Sequence, residues 1–336
     1  MKKSAQVISL LSVMHMGIDF LCAFALYLSL EDWGASLFFV YNFCAFALQL
    51  PLGMILDFWQ EKDSSFRPGF FFVAAGVLLT VCGTFTAPFI LGLGNAFFHV
   101  GGGVLSIRED EEAGYGGRGL GVFVAPGALG LTLGMILEAS FLPVVFLTGI
   151  FLLILCLQLY AKRQELTPAL ARGRGSEGLT ESVLLCFAVV VLRSFIGSSI
   201  AFPWRKGTFL ILLATLALAS GKTAGGFLSY HWGMKKTVVV TLSAAALSYV
   251  LGNSLPGGIA ALFFFNMTMP LTLYLLVKKM PEAPGLAFGI LTFGLFLGYL
   301  PVYYGLLRSL SPFPAGTLGA LFSLLLLGWT VRREER

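Results

Sequence analysis

Length, composition and charge exclude an ordinary soluble domain. The chain has 336 residues, of which 57% are hydrophobic and 12% charged, and its mean hydropathy is +0.87. Soluble domains are roughly 25% charged, so the composition predicts a polytopic protein whose solvent is the lipid bilayer. The five cysteines lie in apolar runs without CxxC spacing, so neither a disulfide framework nor a metal site is expected.

Apolar runs long enough to cross a membrane, about 20 residues each, recur along the whole chain. The twelve predicted spans are 6–30, 33–57, 69–86, 88–107, 116–138, 141–160, 181–202, 206–230, 236–252, 256–277, 284–308 and 312–331. The longest polar stretch separates the first six spans from the last six. The predicted domains are therefore an N-terminal six-helix bundle (1–160), a cytoplasmic linker (161–180) and a C-terminal six-helix bundle (181–336).

The positive charges predict the orientation. With the N-terminus inside, 17 of the 22 Lys and Arg residues fall in inner segments and only three in outer segments. This asymmetry follows the positive-inside rule and places both termini in the cytoplasm. The net charge of +5 then reflects topology, and no nucleic-acid partner is expected. The acidic run 109–112 is expected to be a solvated inner loop.

The two halves of the sequence echo each other at a nearly constant offset. Asn95 matches Asn266, 171 residues later, and Gly53 matches Gly226, 173 residues later. These matches favour two parallel six-helix repeats, an architecture in which a binding site forms near the midplane of the membrane.

Two loops resemble the signature Gly-x-x-x-Asp-(Arg/Lys)-x-Gly-(Arg/Lys)-(Arg/Lys) of the major facilitator superfamily. Gly53 and Asp57 follow the second span, while Gly226, Tyr230 and Gly233 follow the eighth, where tyrosine replaces the acid. The resemblance implies an all-α major facilitator fold with twelve transmembrane helices in two pseudo-symmetric bundles. It also implies that these five residues belong to gating loops.

Further segments resemble transporters within this superfamily. The fifth span contains Pro126, Gly127 and Gly130 and is similar to the antiporter motif, although Ala125 stands at one glycine position. The segments His15-x-x-x-Asp19 and Gly94-Asn95-x-x-x-His99 are similar to bacterial fosmidomycin-resistance-type drug exporters. This resemblance implies a multi-pass protein of the bacterial cytoplasmic (inner) membrane and favours export.

In the superfamily, spans 1, 4, 7 and 10 line the central cavity. The strongly polar residues of these spans all lie within about one helical turn of the middle of their span: His15, Asp19, Asn95, His99, Arg193 and Asn266. Ionisable groups at this depth are costly and usually functional.

This placement gives two readings. In the first, Asp19 carries a proton with His15 or His99, and Arg193 holds an anionic group of the substrate. Further substrate-binding candidates are Asn95, Asn266, Lys222 and Tyr299. In the second, Asp19 and Arg193 form a static ion pair.

No ATP-binding or hydrolytic motif is present, so neither an enzyme nor a cofactor is expected. The sequence predicts a monomeric secondary transporter that moves a small organic solute by alternating access, with proton coupling and export favoured. One alternative is proton-coupled uptake of a small organic anion, suggested by Arg193 and Lys222. Another is a non-transporting membrane protein, such as a lipid scramblase or a receptor-like scaffold.

Overall fold

The computed structural model describes residues 2–62, 67–137, 139–163, 166 and 178–334. This part of the chain is helical, with one isolated β-bridge between Ile200 and Leu310. Its α-helices are α1 (Lys2–Asn42), α2 (Gln49–Lys62), α3 (Pro68–Thr84), α4 (Pro88–Glu112), α5 (Arg118–Val124), α6 (Pro126–Ile136), α7 (Leu142–Ala161), α8 (Leu179–Ser199), α9 (Gly207–Trp232), α10 (Met234–Val250), α11 (Leu255–Asn266), α12 (Thr268–Lys279), α13 (Pro284–Tyr303) and α14 (Thr317–Glu334).

Ten helical stretches of the described chain are long and apolar enough to cross a membrane. They are Lys2–Leu28, Ser36–Gln60, Pro88–Glu112, Arg118–Ile136, Leu142–Ala161, Leu179–Ser199, Gly207–Trp232, Leu255–Lys279, Pro284–Tyr303 and Pro312–Arg332. The other two predicted spans correspond to α3 and α10, with 17 residues each. The prediction of an all-α multi-pass membrane protein is confirmed. One boundary differs, because α1 continues through residues 31 and 32, where the first loop was expected.

Three prolines account for the breaks within spans. Proline lacks an N–H donor, and its ring clashes with the carbonyl four residues earlier. Pro51 follows a π-helical segment, Phe43–Ala47, and Pro126 separates α5 from α6. Pro270 stands four residues after Asn266, where α11 ends. At this last break the Thr268 hydroxyl donates to a backbone carbonyl oxygen at 2.7 Å, a type of compensation that membrane helices need.

Glycines allow α3 and α4 to pack backbone against backbone. A β-carbon at Gly76 would lie 2.6 Å from Phe98 Cα, and one at Gly101 would lie 2.7 Å from the Gly69 carbonyl oxygen. Larger side chains could not be accommodated without moving a helix. The glycines of α4 therefore serve close helix approach.

The acidic run at the end of α4 differs from expectation. Glu109 and Asp110 are buried, each 1% exposed, and the helix continues to Glu112. The chain turns only at Gly114, whose φ is +65°. Arg108, also buried, donates to the Gln60 side-chain oxygen. The prediction of a loop at 109–112 is wrong, because these residues are helical, and the prediction of solvation fails for Glu109 and Asp110, whereas Glu112 is exposed.

By the contacts of its residues the chain divides into two compact units. Unit 1 comprises Met1–Tyr115, Val122–Gly173 and Pro281–Phe293, and unit 2 comprises Gly116–Gly121, Arg174–Met280 and Gly294–Arg336. The first turns of α13 thus belong to unit 1 and the start of α5 belongs to unit 2. The boundaries 1–160, 161–180 and 181–336 stay a prediction, and linker residues 164–165 and 167–177 lie outside the described residues.

Candidate functional site

Helices α1 and α4 bring three titratable side chains of unit 1 together: His15, Asp19 and His99, here called the unit 1 cluster. His15 Nε2 lies 3.2 Å from one carboxylate oxygen of Asp19, and His99 Nε2 lies 3.6 Å from the other. The two Nε2 atoms are 2.9 Å apart. His15 and Asp19 share one face of α1 because they are four residues apart. The three proton-coupling candidates of the sequence therefore form one group, in which His15 is buried and Asp19 and His99 are partly buried.

The other ring nitrogens determine how many protons the unit 1 cluster holds. His15 Nδ1 lies 2.8 Å from the Phe123 carbonyl oxygen, and His99 Nδ1 lies 2.8 Å from the Asn95 carbonyl oxygen. A carbonyl oxygen only accepts hydrogen bonds, so each Nδ1 carries a proton. In two neutral rings both Nε2 atoms would then present lone pairs to each other. Their contact therefore requires one additional proton between the rings, and the Asp19 carboxylate balances its charge.

Asn95 completes the environment of Asp19. Its side-chain amide donates to Asp19 Oδ1 at 3.1 Å and approaches the Cys22 sulfur at 3.6 Å. The Asn95 side-chain oxygen is buried without a hydrogen-bond partner. The Asp19 carboxylate thus contacts three side chains of its own unit, through a hydrogen bond from Asn95 and a charge contact with each histidine. Asn95, expected to contact substrate, here positions the candidate proton carrier.

Gly127 forms the wall of the unit 1 cluster, and sequence reasoning did not connect it with these residues. A β-carbon at Gly127 would overlap His15 Nε2 and lie 2.5 Å from Asp19 Oδ2. Further along α6, Gly130 and Gly134 pack against the backbone of α1. The i, i+3, i+7 spacing of these glycines places them on one helix face. This spacing was the signal in the sequence that a neighbouring helix packs closely there. The segment that resembles an antiporter motif therefore packs α6 onto the unit 1 cluster.

The unit 1 cluster also has the composition of a transition-metal site. Its nitrogen and oxygen atoms lie within 4.8 Å of one another, and two imidazoles with a carboxylate suit such ions. The sequence predicted no metal, and that stays a prediction.

In unit 2, Arg193 is buried on α8. Its side chain is 8% exposed, and its Nη1 atom has no hydrogen-bond partner. The neighbouring Ser194 hydroxyl donates to the Leu295 carbonyl oxygen at 2.6 Å, which fixes α8 against α13. Arg193 is therefore a buried charge, and the hydrogen bond of the adjacent Ser194 holds its helix in place.

The other substrate-binding candidates lie on three helices. Asn266, at the end of α11, donates to the Leu262 carbonyl oxygen of its own helix at 2.8 Å. Lys222 is half-buried on α9. The Tyr299 ring on α13 lies 6.1 Å from the Tyr303 ring. Their roles in substrate binding stay predictions.

Gly53 and Asp57, predicted to belong to the first gating loop, lie instead within helix α2 and contact the N-terminus of α13 within unit 1. Asp57 accepts hydrogen bonds from the backbone N–H groups of Gly285 at 2.9 Å and Leu286 at 2.7 Å. A carboxylate is favourable there because the first N–H groups of a helix lack helical partners and carry partial positive charge. A β-carbon at Gly285 would lie 2.5 Å from the Gly53 carbonyl oxygen. Gly53 thus allows its backbone to approach Gly285 closely, and Asp57 caps the N-terminus of α13.

Gly226 and Tyr230, predicted to belong to the second gating loop, lie instead near the end of helix α9, and their contacts within unit 2 are of a different kind. The Arg118 guanidinium lies 3.6 Å from the centre of the Tyr230 ring, a cation–π contact. A β-carbon at Gly226 would lie 2.5 Å from the Gly117 carbonyl oxygen. Gly233, with φ +81° and ψ 155°, separates α9 from α10. Tyr230 stands four residues after Gly226, at the position of the acid in the motif. It makes a cation–π contact where Asp57 accepts hydrogen bonds.

Together, the helical spans and their order define a multi-pass membrane protein with the major facilitator fold. A structure of a variant of the E. coli fucose:proton symporter FucP is similar with a TM-score of 0.67 and 13% identity, covering 100% of this chain and 99% of that chain. A structure of FucP titled as a major facilitator superfamily transporter in the outward conformation gives a TM-score of 0.62 and 14% identity, covering 96% and 98%.

No protein-family model and no curated protein matches the chain. At 13–14% identity the two structures show the fold alone. The resemblance to the fosmidomycin-resistance branch stays a prediction.

Proposed function

We propose that this protein is a proton-coupled secondary transporter that moves a small organic solute by alternating access. The observation that carries the proposal is the 2.9 Å contact between two Nε2 atoms, which needs a proton that two neutral rings do not supply. The fold supports it, since the similar solved structure is titled a fucose:proton symporter.

Loss of the shared proton would change the packing of α1 on α4. Two lone pairs would then face each other across 2.9 Å, beside a carboxylate without a cationic partner. Repulsion at such a distance in a low-dielectric interior is strong, so the rings have to separate. Because each Nδ1 is bound to a backbone carbonyl, ring movement is transmitted to α4 and to the α5 end. Protonation would thus be coupled to helix position.

Each unit contains residues that we propose to contact substrate: Arg193, Asn266, Lys222 and Tyr299 in unit 2, and Asn95 in unit 1. At Asn95 the atom free to accept a hydrogen bond is the side-chain oxygen, because the amide nitrogen is used by Asp19. A scramblase is less consistent with the structure. It would need polar side chains facing lipid, whereas the side chains of the unit 1 cluster are 6–16% exposed.

Reconstitution into vesicles with an internal pH dye tests the proposal. A panel of sugars, organic acids and amines, beginning with fucose, should contain a solute that produces a pH change. This change should vanish in Asp19→Asn and His15→Gln. It should persist in His231→Gln, which alters the one other histidine of the chain, and in the presence of a metal chelator. Unchanged proton movement in Asp19→Asn would contradict the assignment.

The direction of transport needs a separate measurement. The sequence favours export, while one of the similar structures is that of a fucose:proton symporter. An imposed pH gradient, acidic outside, accelerates solute entry by symport and solute release by antiport. Export by antiport is refuted if only entry responds to this gradient.

A further inference from the structure

We propose that the transported solute carries an oxyanion, a carboxylate or a phosphate-type group, and that Arg193 binds it. This inference rests on the transport function proposed above and names the class of its substrate. The observation that carries it is a buried guanidinium in a unit whose spans contain no acid.

A buried arginine needs an anionic partner more than other polar residues do. Its guanidinium stays charged in proteins and offers five N–H donors. A buried donor without a partner is costly, and a charged one more so. Arg193 is 8% exposed, and its Nη1 is among the buried atoms without a hydrogen-bond partner. The side chain therefore has donor capacity that the described structure leaves unused.

The sequence of unit 2 offers no carboxylate within its spans. Residues 116–121, 182–280 and 294–333 contain neither Asp nor Glu. Glu181 lies on the same helix as Arg193 but twelve residues earlier, about 18 Å along the axis, and its carboxylate accepts a hydrogen bond from the Trp329 indole at 2.6 Å. The other acids of the unit, Glu177, Glu334 and Glu335, stand beyond the spans in the sequence.

The in-span carboxylates of the two sequence motifs in unit 1 already have partners. Asp19 is bound by two histidines and an asparagine. Asp57 caps the N-terminus of α13. Neither carboxylate requires an arginine to be satisfied, so the charge of Arg193 is left for a ligand.

An oxyanion suits this arginine better than a neutral polyol. A planar guanidinium forms two parallel hydrogen bonds with a carboxylate or phosphate, and the ligand also cancels its charge. A sugar hydroxyl can accept a hydrogen bond but leaves the net positive charge buried. Carboxylates and phosphates share this chemistry, and so does the headgroup of an anionic lipid, so the experiment must separate these three sources.

Thermal unfolding of the purified protein with three probes that share a phenyl ring tests the inference. Benzoate and phenylphosphonate carry an oxyanion, while benzamide is neutral. We expect saturable stabilisation by at least one oxyanion and none by benzamide. The midpoint concentration should rise at least tenfold in Arg193→Gln and less in Arg193→Lys, which keeps the charge. Arg205→Gln, an exposed arginine of the same unit, should bind as the wild type does.

Several outcomes would overturn the inference. These are no stabilisation by either oxyanion, equal stabilisation by benzamide, and unchanged midpoints in Arg193→Gln. Stabilisation that is seen in detergent containing phosphatidylglycerol and lost in detergent without it would assign Arg193 to a lipid headgroup. That result would refute the proposal that Arg193 binds a transported solute. If Arg193→Gln does not fold, Arg193→Lys and the comparison of probes on the wild type still decide.

The two proposals can fail separately. Oxyanion binding that persists in a protein without any solute-driven pH change would refute proton-coupled transport and leave the ligand class standing. Proton coupling to a neutral solute only, unaffected by Arg193→Gln, would refute the ligand class and leave the transport function standing.

Discussion

Adding one methyl group at Gly127 tests the proton site without removing a titratable group. A β-carbon there would lie 2.5 Å from Asp19 Oδ2, whereas ordinary contacts begin at 3.4 Å. The carboxylate would have to retreat by about 0.9 Å, since overlapping atoms repel steeply. The Asp19–His15 distance is 3.2 Å, so a retreat of that size weakens the attraction between the carboxylate and the protonated histidine pair.

The cost of Gly127→Ala to stability should be small. Overpacking costs about 1–3 kcal/mol, and replacing glycine by alanine in a helix returns up to about 1 kcal/mol. The variant should therefore fold with a net loss of about 0–3 kcal/mol. Its main defect should be functional, because displacing Asp19 and His15 destroys the geometry that holds the shared proton.

Two measurements check this prediction for Gly127→Ala. Nitrogen-15 NMR of the histidine rings should lose the shared-proton signal, and the solute-driven pH change should fall strongly. The matched control is Gly149→Ala, also in unit 1, whose β-carbon would meet a Val81 methyl at an ordinary 3.6 Å. Wild-type histidine signals and wild-type pH changes in Gly127→Ala would refute the proposed geometry.

Two further predictions concern Asp57 and Tyr230, the residues predicted for the two gating loops. Asp57→Ala should lower the free energy of unfolding by about 0.5–2 kcal/mol, the usual range for a lost N-cap. Asp57→Asn keeps an accepting oxygen and should lower it less. Equal losses in the two variants, measured by thermal unfolding, would contradict capping. Tyr230→Leu should lower the free energy of unfolding by about 0.5–2 kcal/mol through the lost cation–π contact. Tyr230→Phe keeps the ring and should unfold as the wild type does. A Tyr230→Phe variant as unstable as Tyr230→Leu would show that the hydroxyl matters instead.

The fold was predictable because hydrophobic length is a local property of the sequence. Runs of about 20 apolar residues predict spans without knowledge of their neighbours. The acidic run after Arg108 was mispredicted for the opposite reason. Its burial depends on packing, including the pairing of Arg108 with Gln60, 48 residues earlier, which charge alone does not encode.

The candidate site was predictable in part. The spacing of His15 and Asp19 placed both on one helix face, and the position of His99 in its span gave the right depth. The proton count was not accessible, because it depends on the Phe123 carbonyl, 108 residues from His15. Gly127 was recognised only as part of the motif in the fifth span. The local sequence does not show which residues lie next to its α-carbon, where a side chain would otherwise be.

The charges of the two units bear on the direction of coupling. With one shared proton the unit 1 cluster is neutral, and without it one negative charge remains there. Arg193 is positive alone and neutral with a monovalent oxyanion. Loading both sites thus removes the uncompensated charge from each unit, whereas loading one leaves the other charged, which is costly within a membrane. Both proposals together therefore favour joint movement of proton and solute. The glycines that resembled an antiporter motif have a packing role at the proton site, so they add no separate support for exchange.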